Sequence, residues 1–229
     1  MYSVIETPIF GIVLTIVFFN IGIYIQNKTK KPIFNPLLIA IVGIILFLSI
    51  TKIPYDKYKL GADSINFLLG PVTISLAIPL YRQFNLLKKY FLEIIVGIFC
   101  GVIVSLASVL IIGVLTHANI EILNSLIPKS ITTPMGLALT KTLNGIDSIT
   151  VVSIIITGIL GAIISPLVFK VGKINNPIAK GIALGTSSHA LGTTKAMEMG
   201  EVEGAMSSLS IGIAGTITVI IVPIILNLI

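Results

Sequence analysis

The sequence predicts an all-α integral membrane protein, a polytopic bundle of helices. Its 229 residues are 55% hydrophobic and only 10% charged, with a mean hydropathy of +1.08, whereas soluble domains carry about 25% charged residues. Its apolar runs are long enough to cross a bilayer as helices. The basic residues behind the net charge of +6 stand in short clusters between these runs, which is typical of loops at a membrane surface rather than of nucleic-acid binding. Soluble and disordered classes are therefore excluded.

Five apolar runs predict membrane-spanning helices: residues 8–25, 36–51, 94–115, 149–169 and 205–228. A helix crosses the hydrocarbon core in about 20 residues. The first run follows Glu6 and no basic residue, so it lacks the positive region of a cleaved signal peptide. The basic residues divide eight against seven between alternate loops, which leaves the orientation open.

Three further runs are interrupted by glycine, proline and polar residues: 65–81, 127–143 and 177–199. Within a membrane, such interruptions predict broken helices, whose freed backbone groups must face protein or a watery cavity. A proline kink without function is the alternative for any one of them. We expect the breaks at Gly70, Pro71, Pro134 and Gly185.

Glycines recur at an offset of 115 residues, which aligns Gly70 with Gly185. The same offset aligns the apolar run 36–51 with 149–169 and the run 94–115 with 205–228. We interpret the chain as one membrane domain of two repeats, residues 1–118 and 124–229, each containing a broken or re-entrant helix. We favour an inverted arrangement, which is typical of secondary transporters with a binding site at the bilayer midplane. The alternative is similarity of hydropathy alone.

The densest polar cluster follows Gly185 and consists of Thr186, Ser187, Ser188 and His189. If a helix begins there, its free N–H groups, its dipole and the hydroxyls form a site for an anion. His189 could donate to a carboxylate or carry a proton, since its ordinary pKa lies near physiological pH. A helix cap with a hydrogen-bonded core histidine is an equally weighted alternative.

Two other interruptions add candidate residues. Thr73 follows the break at residues 70–71, where a second half-helix would begin, and two opposed N-termini with hydroxyls suit a small monocarboxylate. Before Pro134, Lys129 could pair with that carboxylate or extend to the membrane surface. Thr132 and Thr133 could complete the site or bond to their own helix.

No enzymatic motif is present. Cys100 is the single cysteine, which excludes an intrachain disulfide and a paired-cysteine metal or redox site. GxSxG, HExxH and Walker patterns are lacking. We therefore expect no enzyme, no metal and no cofactor.

Four stretches resemble the LrgB/CidB family of bacterial membrane proteins: LGPVT at 69–73, PKSITTP at 128–134, GTSSHALGT at 185–193 and EGAMSSL at 203–209. The similarity extends from about residue 7 to 225. Ser187 stands where many members carry alanine, which bears only on substrate detail.

The resemblance implies two functions. Bacterial members are described as antiholin-like regulators of murein hydrolase export and autolysis that act with a small LrgA/CidA-type partner. A plastid relative is described as a glycolate/glycerate transporter, and some bacterial pairs are linked to pyruvate uptake. The residues favour a secondary transporter of a small monocarboxylate, which we expect to be proton-coupled, and the resemblance implies pyruvate, glycolate or glycerate as the substrate. We expect it as a homo-oligomer in the bacterial cytoplasmic membrane, with the antiholin-like regulator as the alternative.

Overall fold

The computed structural model describes residues 2–29, 34–68, 71, 74–75 and 77–226, and all regular secondary structure among them is helical. The predicted all-α class is confirmed. The chain divides into two compact units, residues 1–75 and 76–229. This boundary concerns packing and differs from the predicted repeat boundary near residue 118, so the two-repeat hypothesis stays a prediction.

In the first unit the structure gives the bounds of four helices among the described residues: α1 (Tyr2–Ile5), α2 (Pro8–Thr29), α3 (Pro36–Thr51) and α4 (Tyr55–Asn66). The start of α3 is set by Asn35, whose side chain accepts a hydrogen bond from the Leu37 N–H at 2.9 Å, with Pro36 in the first turn. The polar helix α4 was not among the predicted spans.

Helix α2 packs against α4 through small residues. Gly11 and Gly61 bring the two backbones into direct contact, because a Cβ on either would overlap the other helix. The Thr15 and Tyr58 hydroxyls are 3.0 Å apart. Just before the start of α2, Glu6 forms a 2.9 Å ion pair with Lys57 of α4, and this hydrogen bond lowers the pKa of the Glu6 carboxyl.

The predicted break of the first half falls largely outside the described residues. Gly70 and Thr73 are among the residues that the structure does not describe, and Pro71 is helical and exposed. A half-helix beginning at residues 70–73 therefore stays a prediction.

The second unit contains eight α-helices and one 3₁₀ helix among its described residues. The short helices are α5 (Ala77–Arg82), α6 (Phe84–Lys89), α8 (Ile120–Leu126), the 3₁₀ helix η1 (Ile127–Ser130) and α9 (Thr133–Thr142). The long helices are α7 (Phe91–Leu115), α10 (Asp147–Val171), α11 (Pro177–Met199) and α12 (Glu201–Leu226).

Four helices in the described part of the chain are long and apolar enough to cross a membrane: α2, α7, α10 and the Glu201–Ile225 stretch of α12. These agree with four of the five strongest predicted spans. The fifth, α3, is a shorter apolar helix of 16 residues. The chain is thus a membrane protein, as its composition predicts.

Residues 120–142 form a first helical hairpin, made of α8, η1 and α9. Leu123 packs at Gly113 of α7 and Ser130 lies 2.9 Å from Ser105, so the chain runs from the end of α7 back toward its middle. After extended residues 131–132, α9 turns back along α10, where the Thr140 and Thr150 hydroxyls are 2.7 Å apart.

Helix α11 is a second hairpin, because the chain reverses at His189 (φ 43°, ψ −134°). Past this residue, Gly192 lies against the Leu184 carbonyl, a contact that a continuous helix forbids over eight residues. Gly185 packs on Ser207 of α12, and the Thr193 hydroxyl lies 2.7 Å from the same Ser207. The two halves of α11 thus run side by side along α12.

The tips of the two hairpins meet near the middle of α10. The His189 Nε2–H donates to the Ile154 carbonyl oxygen at 2.9 Å, and Ser188 packs at Gly161. The 3₁₀ helix η1 packs against both α10 and α11. The first hairpin comes just before the start of α10 in the chain, and the second comes just after the end of α10. The two hairpins therefore reach the middle of α10 from its opposite ends.

Because the chain reverses at His189, we expect glycine to be required at some positions of the helices and not at others. Gly192→Ala should lower thermal stability, by about 1–3 kcal/mol, because its methyl group would overlap the Leu184 carbonyl. Gly212→Ala is the matched control: nothing lies within 4 Å of a Cβ there, so the better helix propensity of alanine should leave stability equal or higher. Thermal unfolding of both variants in detergent checks this, and equal melting temperatures would contradict the reversal.

A second prediction concerns the tip residue. His189→Ala should lower the unfolding free energy by about 2 kcal/mol, since it removes a buried ring and its hydrogen bond to Ile154. His189→Gly should lower it less, because glycine adopts a positive φ without strain. Thr194→Ala, at an exposed hydroxyl bonded within its own helix, serves as control. A glycine variant less stable than the alanine variant would speak against backbone strain at the tip.

Candidate functional site

The second unit has a half-open cavity of about 820 Å³ between α7, η1, α10 and the first half of α11. Its length follows from the helices that form it. Along α7 the lining extends from Glu93 to Ser108, and along α11 from Asn176 to Ser187. At 1.5 Å per helical residue, the α7 wall is about 22 Å long. The cavity therefore reaches from the first turns of α7 and α11 to the region of the hairpin tips.

A polar cluster occupies the inner end of this cavity. The Lys129 Nζ donates a 2.9 Å hydrogen bond to the Ser105 hydroxyl, which lies 2.9 Å from the Ser130 hydroxyl. Both bonds connect the tip of the first hairpin to the middle of α7. We call Ser105, Lys129 and Ser130 the lysine cluster.

Lys129 has no acidic partner among the described residues. The ion pairs found there join Lys57 to Glu6, Arg82 to Glu201 and Lys195 to Glu198. Lys129 itself is half-buried, held by the serine hydroxyl instead of a carboxylate. Because a charge inside a membrane is costly without a partner, the lysine cluster is a candidate site for an anion.

The inner end is closed by packed apolar side chains. Ile127 and Ile131, on either side of Lys129, are 2% and 3% exposed. They belong to the same core as Leu106 and Val109, which continue α7 beyond Ser105. The outer end differs, since Glu93 and Asn176 there are exposed. In this structure the lysine cluster is therefore separated from the end of α7 by the core.

Three predicted site residues line this cavity: Lys129, Thr186 and Ser187. The Ser187 hydroxyl donates to the Ala183 carbonyl at 2.7 Å. The Thr186 hydroxyl oxygen is buried and has no hydrogen-bond partner in the described part of the protein. Its methyl group packs at Gly101 of α7, so α7 and α11 touch beside the cavity.

The other predicted residues of the second half lie outside the described cavity lining. Ser188 and His189 are 1% and 4% exposed and form the tip of α11 against α10. Thr132 and Thr133 are half-buried at the start of α9. The His189 ring is hydrogen-bonded as the core-histidine alternative describes.

The position of one break differs from the prediction. Gly185 lies within regular helix, where it allows α11 to pack on α12, and the interruption is at His189. Glycine is enriched where apolar helices pack closely, so it does not by itself mark a break, which explains the error. Pro134 lies in the first turn of α9, directly after the extended residues of the first hairpin.

Sequence reasoning missed the contribution of α7. Residues 94–115 predict a plain span, yet Ser105 and Ser108 line the cavity three residues apart, a spacing that places them on one helix face. Two hydroxyls on one face of an apolar span are the signal that could have revealed them. Glu93 and Asn176 at the outer end were likewise not predicted.

Comparison with known proteins agrees with this membrane architecture. Residues 15–228 match the family model described as the LrgB-like family. The antiholin-like protein LrgB of Bacillus subtilis (strain 168) is 41% identical over 224 residues, which cover 97% of each chain. The antiholin-like protein LrgB of Bacillus mycoides (strain KBAB4) is 37% identical over 218 residues, 95% of each chain. No solved structure matches. The matches extend over both units, and the chain belongs to the LrgB-like family.

Proposed function

We propose that this protein is a secondary transporter of small monocarboxylates such as pyruvate, glycolate and glycerate in the bacterial cytoplasmic membrane. The observation that carries the proposal is Lys129, an ammonium group without an acidic partner in the described structure at the inner end of a large cavity. A ligand carboxylate would supply the missing negative charge.

The lysine cluster has the chemistry to bind one carboxylate. Charge-assisted hydrogen bonds to an ammonium group are about twice as strong as neutral ones. The Ser105 and Ser130 hydroxyls, 2.9 Å apart, offer further donors that rotate to suit the ligand. One cation with two hydroxyls matches a monoanion.

The two hairpins support a transporter further. In a bilayer crossed by α7, α10 and α12, we infer that each hairpin enters and leaves on one side, and that the two enter from opposite sides. Interrupted helices that meet near the midplane are where secondary transporters bind their substrates. Backbone groups freed at the tips are tolerated at that depth only if protein or a cavity surrounds them.

The cavity would then be the half of a transport path that is open in this conformation. Its outer end is exposed at Glu93 and Asn176, and the core around Ile127 and Leu106 closes the path beyond Lys129. Alternating access would open that core and close the outer end.

Coupling to protons is part of the proposal, with His189 as the candidate carrier. It lies at the tip of α11, and an ordinary histidine changes charge near physiological pH. His189→Gly tests this assignment with less strain than alanine introduces. Uptake with unchanged rate and pH dependence in this variant would remove His189 from the coupling.

The second candidate is an antiholin-like regulator of murein hydrolase export and autolysis that acts with an LrgA/CidA-type membrane partner. The names of the Bacillus relatives favour it. The two functions are compatible if carboxylate flux controls lysis. Saturable uptake of labelled pyruvate or glycolate into proteoliposomes separates them. If no such uptake is seen with the partner present and a proton gradient applied, the antiholin-like regulator is the remaining candidate function.

We expect Lys129→Met to reduce uptake of labelled pyruvate by about 10- to 100-fold, because hydrogen bonds to a charged group contribute about 1.5–3 kcal/mol. Lys129→Arg should retain more activity, since it keeps the charge. Lys195→Met is the matched control: that lysine is paired with Glu198 at 2.8 Å and lies outside the described lining of the cavity. Equal uptake by the two methionine variants would overturn the role of Lys129.

A further inference from the structure

The cavity is larger than the small acids need. A three-carbon oxo acid has six non-hydrogen atoms and fills about 180 Å³ at about 30 Å³ for each group of the size of a water molecule. The cavity measures about 820 Å³. Most of it would hold water, or another part of the ligand, after a small acid had bound at the lysine cluster.

The wall between the two ends of the cavity is mainly apolar. On α7 it is formed by Gly97, Gly101 and Val104, and on α11 by Ala179, Ile182 and Ala183. Water against such a wall is released favourably when an apolar group replaces it.

Among the ionisable side chains of the described lining, Lys129 is far from the other two. Tyr90 and Glu93 lie at the outer end and Lys129 at the inner end. Twelve residues of helix separate Glu93 from Ser105, about 18 Å at 1.5 Å per residue. A second carboxylate on the ligand would lie against the apolar wall without a cation, or approach Glu93, and either is unfavourable.

We propose that the site takes monocarboxylates that carry an apolar tail, such as branched-chain 2-oxo acids, in preference to three-carbon acids. The carboxylate binds at the lysine cluster, and the tail lies along the wall toward the outer end. Gly101 is four residues before Ser105 on α7, about 6 Å away, so a short branched tail already reaches the wall. This inference rests on the proposed function, because it uses the same anion site.

Affinity should rise with tail length. Burial of one methylene contributes about 0.8 kcal/mol, which corresponds to about a fourfold change in affinity. The experiment uses the full chain in detergent, with labelled pyruvate displaced by 2-oxobutyrate, 2-oxopentanoate and 4-methyl-2-oxopentanoate. We expect the inhibition constant to fall about threefold to fourfold per added carbon, and succinate to compete weakly. A constant that stays level or rises along the series would overturn the inference and make the cavity a water-filled path.

Substitutions of residues in the apolar wall test whether the tail of the ligand lies against that wall. Ala183→Phe should reduce the ratio between the inhibition constants of pyruvate and 4-methyl-2-oxopentanoate by at least about tenfold, because the ring would occupy the space of the tail. Ala138→Phe is the matched control, at an exposed alanine of α9 outside the described lining, and should keep the wild-type ratio. Val104→Phe, at a wall side chain that is 67% exposed, tests the opposite side if Ala183→Phe fails to fold. An unchanged ratio in a folded wall variant would overturn the assignment of the wall.

The outcomes separate the two proposals. If pyruvate binds and longer acids bind no better, only the inference about the tail fails. If none of the acids binds, either to the chain alone or with the LrgA/CidA-type partner present, the proposed transport of monocarboxylates fails with it.

Discussion

The second unit depends on one constraint: a polar group placed at membrane depth must find a partner inside the protein. Two interrupted segments bring such groups to the middle of α10. The His189 ring bonds to the Ile154 carbonyl, and the hydroxyls of Thr193 and Ser207 pair with each other. With these partners in place, the chain leaves helical geometry at His189 while the ring and these hydroxyls keep their hydrogen bonds.

Lys129 has a hydrogen-bond partner but no counter-charge among the described residues. Its ammonium group has a serine hydroxyl for a neighbour and no carboxylate in the described structure. A permanent acidic partner would neutralise the lysine and leave little to attract an anion. A hydroxyl partner orients the ammonium group without cancelling its charge, which suits a site whose counter-charge arrives and departs.

Hydropathy was sufficient to predict the membrane class and four long spans, because burial in lipid selects for unbroken apolar runs. It also identified the two interrupted segments of the second half. It could not place the break at His189, since the glycine at 185 is equally well explained by close packing on α12. Ser105 was missed for a related reason: one hydroxyl in an apolar helix has little effect on hydropathy, and only its spacing from Ser108 marks the face that lines the cavity.

The short helices of the first hairpin have a consequence for how the candidate site is assembled. Helices α8 and α9 have 7 and 10 residues, about half or less of what a bilayer crossing requires. Such segments cannot integrate into lipid as independent units, whereas α7, α10 and α12 can. Their place in the fold therefore depends on packing against these long helices. The lysine cluster forms only where Ser105 of α7 and Lys129 of the first hairpin come together, so the candidate anion site exists only in the packed bundle.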